Sequence, residues 1–479
     1  MVAAATAVDN GATVIVLEKM VMLGGNTARS EGNMSAMDPE PEKLLPMTQA
    51  VRDIIAKYTN PKPSFRRRFS SSSQSGKKYI FDSPELFALQ TIVGGNCKND
   101  AKLVLTMTRN ATAAMKWLDV QSDMTWFHVP RSWVDVGIGG LYPRGQWPCQ
   151  ADGKTPISTY DAYIRPLAAK VEAAGNSIYK NMKVVSVERD ASGRVTGVKA
   201  LDRKGVERVF SGRSVVLAAG GYGANLQMVK KYNDISVTVT SNSPATTGEV
   251  LEEAVAAGAG LTGMEWIQIY PHGNPKNGEL ESTIAARPSD TPYVNCDGLR
   301  FVDETGRRDE ISYGILKQTG QVAFSIYDQR TIEEKKIESA IAHGYAFKAD
   351  TLDELAKKLG ITDAAAFKKS VERYNALAAE GKDEDFGKEG KWLTTIDTPP
   401  FYGIHRKVRV SAIVSGVHVG EHMEVLKADS SDPIKGLYAI GNTAGDFYCG
   451  IDYTMWMPGL SLGRAHTQGY VMGKYVANL

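Results

Sequence analysis

Four glycine-rich stretches of this chain place backbone amides beside small polar side chains. They are LGGNTARSEGNMSA (23–36), LAAGGYG with Gly220, ATTGEVLEEAVAAGA with Gly248, and AIGNTAG with Gly441. Glycine lets a backbone N–H group approach a ligand, and the start of a helix favours phosphate or a developing negative charge. Because any α/β protein has glycine-rich turns, the order of the four stretches along the chain carries the argument.

The first nineteen residues, MVAAATAVDNGATVIVLEK, look like the second half of a nucleotide-binding βαβ unit. Residues 2–9 are small and apolar at helical spacing, Gly11 ends the helix, and a β-branched run over 13–17 stops at Glu18. An acid at such a strand end accepts a hydrogen bond from an adenosine ribose hydroxyl. The strand and the Gly-x-Gly-x-x-Gly turn that should come first are absent. We therefore expect Met1 to be an internal methionine just past the phosphate loop.

The strands that would position these residues are predicted in the middle and near the end of the chain. Residues 183–219 contain two alternating runs on either side of a turn at 190–193, which predicts a β-hairpin. The run VVLAAGGYG then predicts a buried strand that leads straight into glycines. Residues 435–442 predict another strand, and this one closes on Gly-Asn.

Helices are predicted over residues 329–381 and over the terminal segment 458–479. Within the first of these ranges, Thr351 and Glu354 form a capping box and Gly360 provides a stop. The predicted helices of 329–381 are amphipathic and polar outside, which suits a lid or cap better than a central core.

Composition limits the possible classes of function. The 479 residues carry a net charge of +2, so charge does not indicate a nucleic-acid partner, and the length suits two or three domains. The four cysteines are far apart without a Cys-x-x-Cys motif, which excludes a c-type haem; we expect no metal site. No run approaches 18 apolar residues, so no transmembrane segment is predicted. The polar stretch 64–79 fits a solvated loop better than a basic binding patch.

Taken in order, the motifs resemble the flavoprotein-subunit family of fumarate reductases and succinate dehydrogenases. This family includes soluble flavocytochrome-type fumarate reductases, urocanate reductase and 3-ketosteroid Δ1-dehydrogenases. The resemblance rests on GATVIVLEK, GGNTARSEG, VVLAAGGYG, GLRFVDETGRRD, VERYNALAAEGKDEDFGK, GLYAIGN and PGLSLGRA. It implies an α/β fold, with a Rossmann-like FAD-binding domain and an inserted α+β capping domain. We expect the N-terminal strand and phosphate loop of the FAD-binding domain to be missing from this sequence. The implied boundaries are 1–263 and 410–479 for the FAD-binding domain and 264–409 for the cap.

The resemblance also implies which residues hold FAD. Glu18 would bind the adenosine ribose, and no histidine stands between residues 24 and 35, so we expect non-covalent FAD. The complete set of implied cofactor residues is Glu18, Lys19, Gly24, Gly25, Asn26, Thr27, Ser30, Gly32, Val184, Ala219, Gly220, Thr247, Gly248, Gly441, Asn442, Ser461 and Leu462.

In the reductase branch of the family, an arginine before an aspartate protonates the substrate carbon next to the one that receives hydride. The segment LRFVDETGRRDEIS places Arg308 there. Arg287 matches the second arginine of the family's proton relay, whereas Ile284 stands in the place of its glutamate. The alternative for Arg308 is a surface salt bridge with Asp309 or Glu310.

The positions that hold a dicarboxylate in fumarate reductases differ in this chain. Tyr270 stands at a histidine position with His272 two residues on, Ala412 replaces a second histidine, and Trp456 replaces a carboxylate-binding arginine. These changes predict an aromatic-lined site in place of one for a dianion. The implied substrate residues are Tyr270, His272, Thr283, Ala412, Trp456 and Gly459.

The resemblance favours an FAD-dependent oxidoreductase that reduces an activated C=C bond of an unsaturated acid or ketone with an aromatic or polycyclic body. One alternative is a 3-ketosteroid-type dehydrogenase with Tyr453 or Tyr448 as acid or base. Another is a non-catalytic flavin electron-transfer subunit. The expected partners are a small unsaturated substrate and an external electron donor, which could be a cytochrome, a quinol-linked protein or reduced flavin. The sequence leaves the cellular location open.

Overall fold

The computed structural model describes residues 1–37, 45–46, 79–80, 82–128, 144–279, 291–448 and 459–479. The chain divides into two compact units. The first unit comprises Met1–Asn225, Ser243–Ile267 and Ile413–Leu479, and the second comprises Leu226–Asn242 and Gln268–Ala412.

The α-helices of the described ranges vary from one turn to six. They are α1 Val2–Asp9, α2 Gly25–Ala28, α3 Pro84–Gly94, α4 Ala101–Ser122, α5 Arg165–Ala173, α6 Leu226–Asn233, α7 Glu249–Ala256, α8 Arg308–Leu316, α9 Glu338–Ala342, α10 Leu352–Leu359, α11 Ala364–Glu380 and α12 Leu460–Ala477. No helix in these ranges is both long enough and apolar enough to cross a membrane.

The strands are mostly short, with one long exception in the second unit. They are β1 Ile15–Glu18, β2 Met34–Ser35, β3 Leu45–Pro46, β4 Tyr79–Ile80, β5 Thr125–His128, β6 Gly145–Cys149, β7 Ser177–Lys180, β8 Lys183–Arg189, β9 Val195–Leu201, β10 Glu207–Ser211, β11 Val215–Leu217, β12 Val239–Thr240, β13 Leu261–Thr262, β14 Ile267–Gly273, β15 Tyr293–Val294, β16 Val322–Asp328, β17 Ala346–Ala349, β18 Phe401–Ile413, β19 Gly416–Val417, β20 Glu424–Leu426 and β21 Pro433–Ala439.

Two parallel strand pairs organise the part of the first unit that leads to the candidate cofactor residues. β1 pairs with β7, and β11 pairs with β21 so that Leu217 lies opposite Ala439. The carboxyl ends of parallel strands meet at the same edge of a sheet. The loops that follow Leu217 and Ala439 therefore leave the sheet side by side, and they carry Gly220 and Gly441.

Most of the predicted elements are present. The hairpin of β8 and β9 turns at residues 190–193, where the Asp190 N–H donates to the Arg194 carbonyl oxygen. The Thr351 hydroxyl oxygen accepts a hydrogen bond from the Glu354 N–H at 3.1 Å and caps α10, as the capping box predicts. The predicted first and last helices correspond to α1 and α12.

Two predicted elements need correction. The range 329–381 is not helical throughout, because residues 346–349 form β17, which pairs antiparallel with β18. Local helical propensity gives way there to hydrogen bonding with a neighbouring strand. The first strand, predicted over 13–17, spans Ile15–Glu18 and so includes the acid at its end.

The second unit is built on a six-stranded sheet. β18 lies in its centre and pairs with β12, β14, β16 and β17, while β15 extends the sheet beyond β16. Helices α10 and α11 contribute Leu355, Phe367 and Tyr374 to an apolar core that also contains Phe324 of β16. Residues 226–242, which the predicted cap of 264–409 does not include, belong to this unit because β12 pairs with β18.

Candidate active site

One group of candidate cofactor residues gathers around the end of β1. The Lys19 ammonium donates to the Thr247 hydroxyl at 2.6 Å and to the Glu249 carboxylate at 2.9 Å. Lys183, which precedes Val184 on β8, lies 3.5 Å from the same carboxylate. The structure therefore brings the predicted segments around Lys19, Val184 and Thr247 together, and it adds Glu249, which the sequence analysis missed.

Charge and hydrogen bonding set the ionisation of the two acids in this group. Burial acts to raise the pKa of Glu249, but hydrogen bonds from Lys19 and Thr247 outweigh burial and lower that pKa to about 2. Burial raises the pKa of Glu18, although its carboxylate accepts a hydrogen bond from the Met20 N–H at 2.8 Å. Glu249 is thus an anion held by Lys19, while Glu18 is the more basic acceptor at the strand end.

The loop around α2 has an open position at Gly25. Gly25 has a φ of +48°, and no heavy atom lies within 4 Å of the position a Cβ atom would take there. The Asn26 side-chain oxygen accepts a hydrogen bond from the Ser243 N–H at 2.6 Å, and the Ser30 hydroxyl donates to the Thr27 carbonyl oxygen at 2.7 Å. Hydrogen bonds within the loop and to Ser243 therefore fix its conformation, and open space remains beside Gly25.

The loops after β11 and β21 form a second group. The Thr443 hydroxyl donates to the Gly220 carbonyl oxygen at 2.9 Å, which joins the two loops. The Gly441 N–H donates to the side-chain oxygen of Gln468 at 2.9 Å, and Arg464 donates to the Asn442 side-chain oxygen at 2.6 Å. Both Gln468 and Arg464 are buried residues of α12, and the sequence analysis assigned neither to the cofactor.

These two groups fit a flavin dinucleotide. The Gln468 side-chain nitrogen is buried and has no hydrogen-bond partner among the described residues, so it can donate to a carbonyl or hydroxyl of a ligand. Two further predicted residues, Ser461 and Leu462, lie in the first turn of α12, the helix that also carries Arg464 and Gln468. Gly32 accepts a hydrogen bond from the Tyr163 hydroxyl at 2.7 Å. Backbone amides, an open glycine and an unpartnered buried amide are the donors that a pyrophosphate and a flavin ring system require.

In the second unit, Arg308 is the first residue of α8 and its guanidinium lies over the Tyr270 ring, 4.7 Å from the ring centroid. The acids considered as alternative partners are bonded by the neighbouring arginine. Arg307 donates to both Asp309 oxygens at 3.0 and 2.9 Å and lies 3.5 Å from Glu310. The predicted site residues Arg308 and Tyr270 are therefore in direct contact.

Tyr270 also joins other buried groups. Its ring meets the His272 ring edge to face at 5.0 Å, and His272 Nε2 lies 2.6 Å from the Tyr293 hydroxyl. Burial lowers the pKa of His272 far below its usual value, and the charges of Arg406, Arg308 and Arg409 lower this pKa further. His272 is therefore a neutral imidazole at physiological pH.

Three polar residues of the second unit that were not predicted from the sequence are buried. Arg409 lies over the Tyr270 ring with its guanidinium carbon 5.0 Å from the centroid. Arg406 donates to the Ser325 hydroxyl at 2.8 Å. The Gln268 side-chain amide is buried, with no partner for either atom among the described residues. For the two arginines, the sequence HRKVRV (405–410) was the available signal, because it places three cations within a strand that is otherwise mostly buried.

Several predicted residues cannot be placed in this arrangement. Arg287, Thr283, Ile284, Tyr453 and Trp456 lie outside the described residues, as does most of the polar stretch 64–79. Ala412 belongs to the second unit, and Gly459, which precedes α12, belongs to the first. Tyr448 of the first unit is buried under the Arg464 guanidinium, 4.7 Å from the carbon of that group.

Comparison with known proteins decides the family. The family model described as FAD binding domain matches residues 69–453, most of the chain. The chain belongs to this FAD-binding family. The predicted family, α/β fold class, oxidoreductase class and FAD cofactor are thus confirmed, whereas the roles of individual residues stay predictions.

The relatives and solved structures similar to the chain include reductases of unsaturated acids. The NADH:acrylate oxidoreductase of Vibrio harveyi is 30% identical over 99% of this chain, which spans about half, 49%, of that protein's length. The urocanate reductase of Eggerthella lenta is 30% identical over 92% of this chain and 68% of its own length. The open conformation of a flavocytochrome c3 fumarate reductase has a TM-score of 0.75 and 25% identity, covering 100% of this chain and 76% of that one.

Proposed function

We propose that this chain reduces an activated C=C bond of an unsaturated acid or ketone that has an aromatic or polycyclic body. Bound FAD supplies the hydride. One alkene carbon accepts that hydride and its neighbour accepts a proton, so the protein must orient the substrate, stabilise the negative charge that develops, and deliver the proton.

The observation that carries this proposal is the contact between Arg308 and Tyr270. Arg307 bonds Asp309 and Glu310, and the Arg308 guanidinium lies on an aromatic face. An aromatic face attracts a guanidinium and fixes its position, and arginine keeps its charge at any physiological pH. Arg308 is therefore suited to stabilise a carbanion-like carbon and to pass it a proton.

The ionisation of the neighbouring groups supports Arg308 as the proton donor. His272 is neutral because burial and three arginines lower its pKa, so it carries no spare proton at physiological pH. Burial raises the pKa of the Tyr293 hydroxyl, so that hydroxyl stays protonated. Arg308, which the reductase motif indicates, is the cation that we propose donates the proton, and Arg287 is the residue that we propose returns it.

The substrate class follows from the replaced positions and from the relatives. The relatives are named for acrylate and urocanate, both unsaturated acids. Trp456 and Tyr453 offer flat faces for a ring, and Ala412 cannot bind a carboxylate. We therefore propose a substrate bulkier and less charged than fumarate, with electrons from an external donor such as a cytochrome, a quinol-linked protein or reduced flavin.

The test compares two adjacent arginines by measuring the two half-reactions of the flavin separately. In Arg308→Ala, FAD binding and reduction by an artificial donor should stay intact. Reoxidation of the reduced flavin by an arylacrylate should slow by about 10²–10⁴-fold, the usual effect of losing an acid or charge stabiliser. Arg308→Lys should recover part of the rate, because it keeps the charge but not the geometry of the guanidinium.

Arg307→Lys is the matched control, since it keeps a cation beside Asp309 and Glu310 one residue before Arg308 and should leave reoxidation within about 3-fold of wild type. Reoxidation by Arg308→Ala at the rate of Arg307→Lys would contradict the role of Arg308. Oxidation of a 3-ketosteroid with an artificial acceptor, and no alkene reduction, would favour the dehydrogenase with Tyr453 or Tyr448 as acid or base. Failure of every organic acceptor would favour an electron-transfer subunit.

A further inference from the structure

A short hydrogen bond joins two buried side chains of the second unit, those of His272 and Tyr293. The His272 Nε2 and the Tyr293 hydroxyl oxygen lie 2.6 Å apart, and the two residues are 5% and 0% exposed. Burial is the main reason that both groups are neutral at physiological pH, because it lowers the pKa of His272 and raises the pKa of Tyr293. This neutral hydrogen bond ties the imidazole on β14 to the phenol on β15.

The backbone of Tyr293 is held by a buried group of ion pairs. Its N–H donates to the Glu304 carboxylate at 3.0 Å. Arg300 donates to both oxygens of Glu304 at 2.8 and 2.9 Å and to Asp383 at 2.7 Å. The Lys388 ammonium lies 3.3 Å from Glu304, and each of the four charged side chains is at most 6% exposed. Two cations and two carboxylates thus balance in the interior, and since leaving one of them unpaired is costly, Tyr293 has a rigid support.

The His272 ring in turn contacts the Tyr270 ring. The two residues lie on the same face of β14, because side chains two positions apart on a strand point the same way. Their rings meet edge to face with centroids 5.0 Å apart and an angle of 82° between the planes, an arrangement that aromatic pairs prefer. Since the bond to Tyr293 fixes the His272 ring, this contact fixes the tilt of the Tyr270 ring. The Arg308 guanidinium lies over that ring, 4.7 Å from its centroid.

We infer that Tyr293 is a positioning residue, whose hydroxyl holds the His272 and Tyr270 rings in the orientation that places the Arg308 guanidinium for proton delivery. This role rests on the proposed function, in which Arg308 protonates the substrate. Tyr293 takes no part in the chemistry and acts only through the two rings. Small movements of the donor matter, because a misplacement of about 1 Å can cost about 10²-fold in rate.

The experiment measures flavin reoxidation by an arylacrylate in the full chain loaded with FAD. Tyr293→Phe keeps the ring and removes the hydroxyl, and reoxidation should slow by about 3–10-fold because the rings can tilt and the donor moves. Tyr402→Phe is the matched control, since Tyr402 is also buried in the second unit, at 3% exposure, and its hydroxyl donates to Glu334 at 2.8 Å. The control should reoxidise its flavin at the wild-type rate.

A double variant separates positioning from a general loss of structure. If Tyr293 acts through Arg308, Tyr293→Phe should change the slow reoxidation of Arg308→Ala by less than about 1.5-fold, because no guanidinium remains to be displaced. A general loss of packing would slow reoxidation by the same factor in wild type and in Arg308→Ala. That result would overturn the inference.

An NMR measurement on protein with isotope-labelled arginine needs no turnover. The Nε–H signal of Arg308, identified by its absence from Arg308→Lys, reports the position of the guanidinium, because the ring current of Tyr270 shifts protons above its face upfield. Tyr293→Phe should move this signal toward its position in Tyr270→Leu, and Tyr402→Phe should leave it unchanged. A signal that does not move in Tyr293→Phe would overturn the inference. Wild type that reduces no alkene, but whose signal moves in Tyr293→Phe, would refute the proposed function and leave the placement of Arg308 by Tyr293 supported.

Discussion

The cofactor residues of the first unit and the arginine cluster of the second are held by different kinds of interaction. In the first unit the contacts are mostly hydrogen bonds to backbone, such as Thr443 to the Gly220 carbonyl oxygen and Gly441 to Gln468. In the second unit, the guanidiniums of Arg308 on α8 and Arg409 on β18 both lie over one ring, that of Tyr270 on β14.

The two regions should therefore respond differently to the mutation of a single residue. Backbone donors remain when a single side chain is lost, so binding of FAD to the first unit should weaken gradually. In the second unit two guanidiniums contact the same ring, so activity should fall sharply when a central residue changes. Arg308→Ala, described above, should show the largest effect of all.

The next largest effect should come from the ring itself. Tyr270→Leu removes the aromatic face under both guanidiniums, and flavin reoxidation by an arylacrylate should slow by about 3–30-fold because a desolvated cation–π contact is lost. Tyr270→Phe keeps the face and should stay within about 3-fold of wild type. Stopped-flow absorbance of the flavin checks both variants. If Tyr270→Leu and Tyr270→Phe slow flavin reoxidation equally, the rate depends on the phenol hydroxyl and not on the contact between the ring and the guanidiniums.

A smaller effect should follow the loss of a single side chain in the first unit. Lys19→Met breaks the 2.6 and 2.9 Å bonds to Thr247 and Glu249, and FAD affinity should fall by about 3–10-fold, as for a partly exposed ion pair. Lys183→Met is the control, since Lys183 lies farther from the same carboxylate and is half exposed. Fluorescence titration with FAD measures both. When saturated with FAD, both variants should reoxidise their flavin at the wild-type rate. A slower rate in Lys19→Met would contradict the separation between a cofactor-binding region and a catalytic region.

The sequence predicts much of the first unit because local rules govern it. Gly441 follows a strand, Gly248 precedes a helix, and Glu18 ends β1, so strand ends and glycines mark the candidate cofactor residues without any knowledge of the tertiary structure. Gln468 gave no such signal, because it lies within α12 and reaches Gly441 only through helix packing.

In the second unit, the contacts between site residues could not be predicted from the sequence. Arg308 was found through a motif, but its contact with Tyr270 joins residues 38 positions apart, and Arg409 is a further 101 positions along the chain. No spacing rule connects residues that meet only because β14 and β18 pair. The loss of cationic dicarboxylate ligands was therefore visible in the sequence, whereas the cation of Arg409 beside the same ring was not.

The most direct test of the central claim is single-turnover reoxidation of the reduced, FAD-loaded wild-type protein under anaerobic conditions. The acceptors are cinnamate, benzalacetone and fumarate, and mass spectrometry identifies each product. We predict that cinnamate reoxidises the flavin and gains two hydrogens, one equivalent for each flavin, while fumarate does so negligibly. Efficient fumarate reduction with no response to the bulkier acceptors would contradict this account of the site.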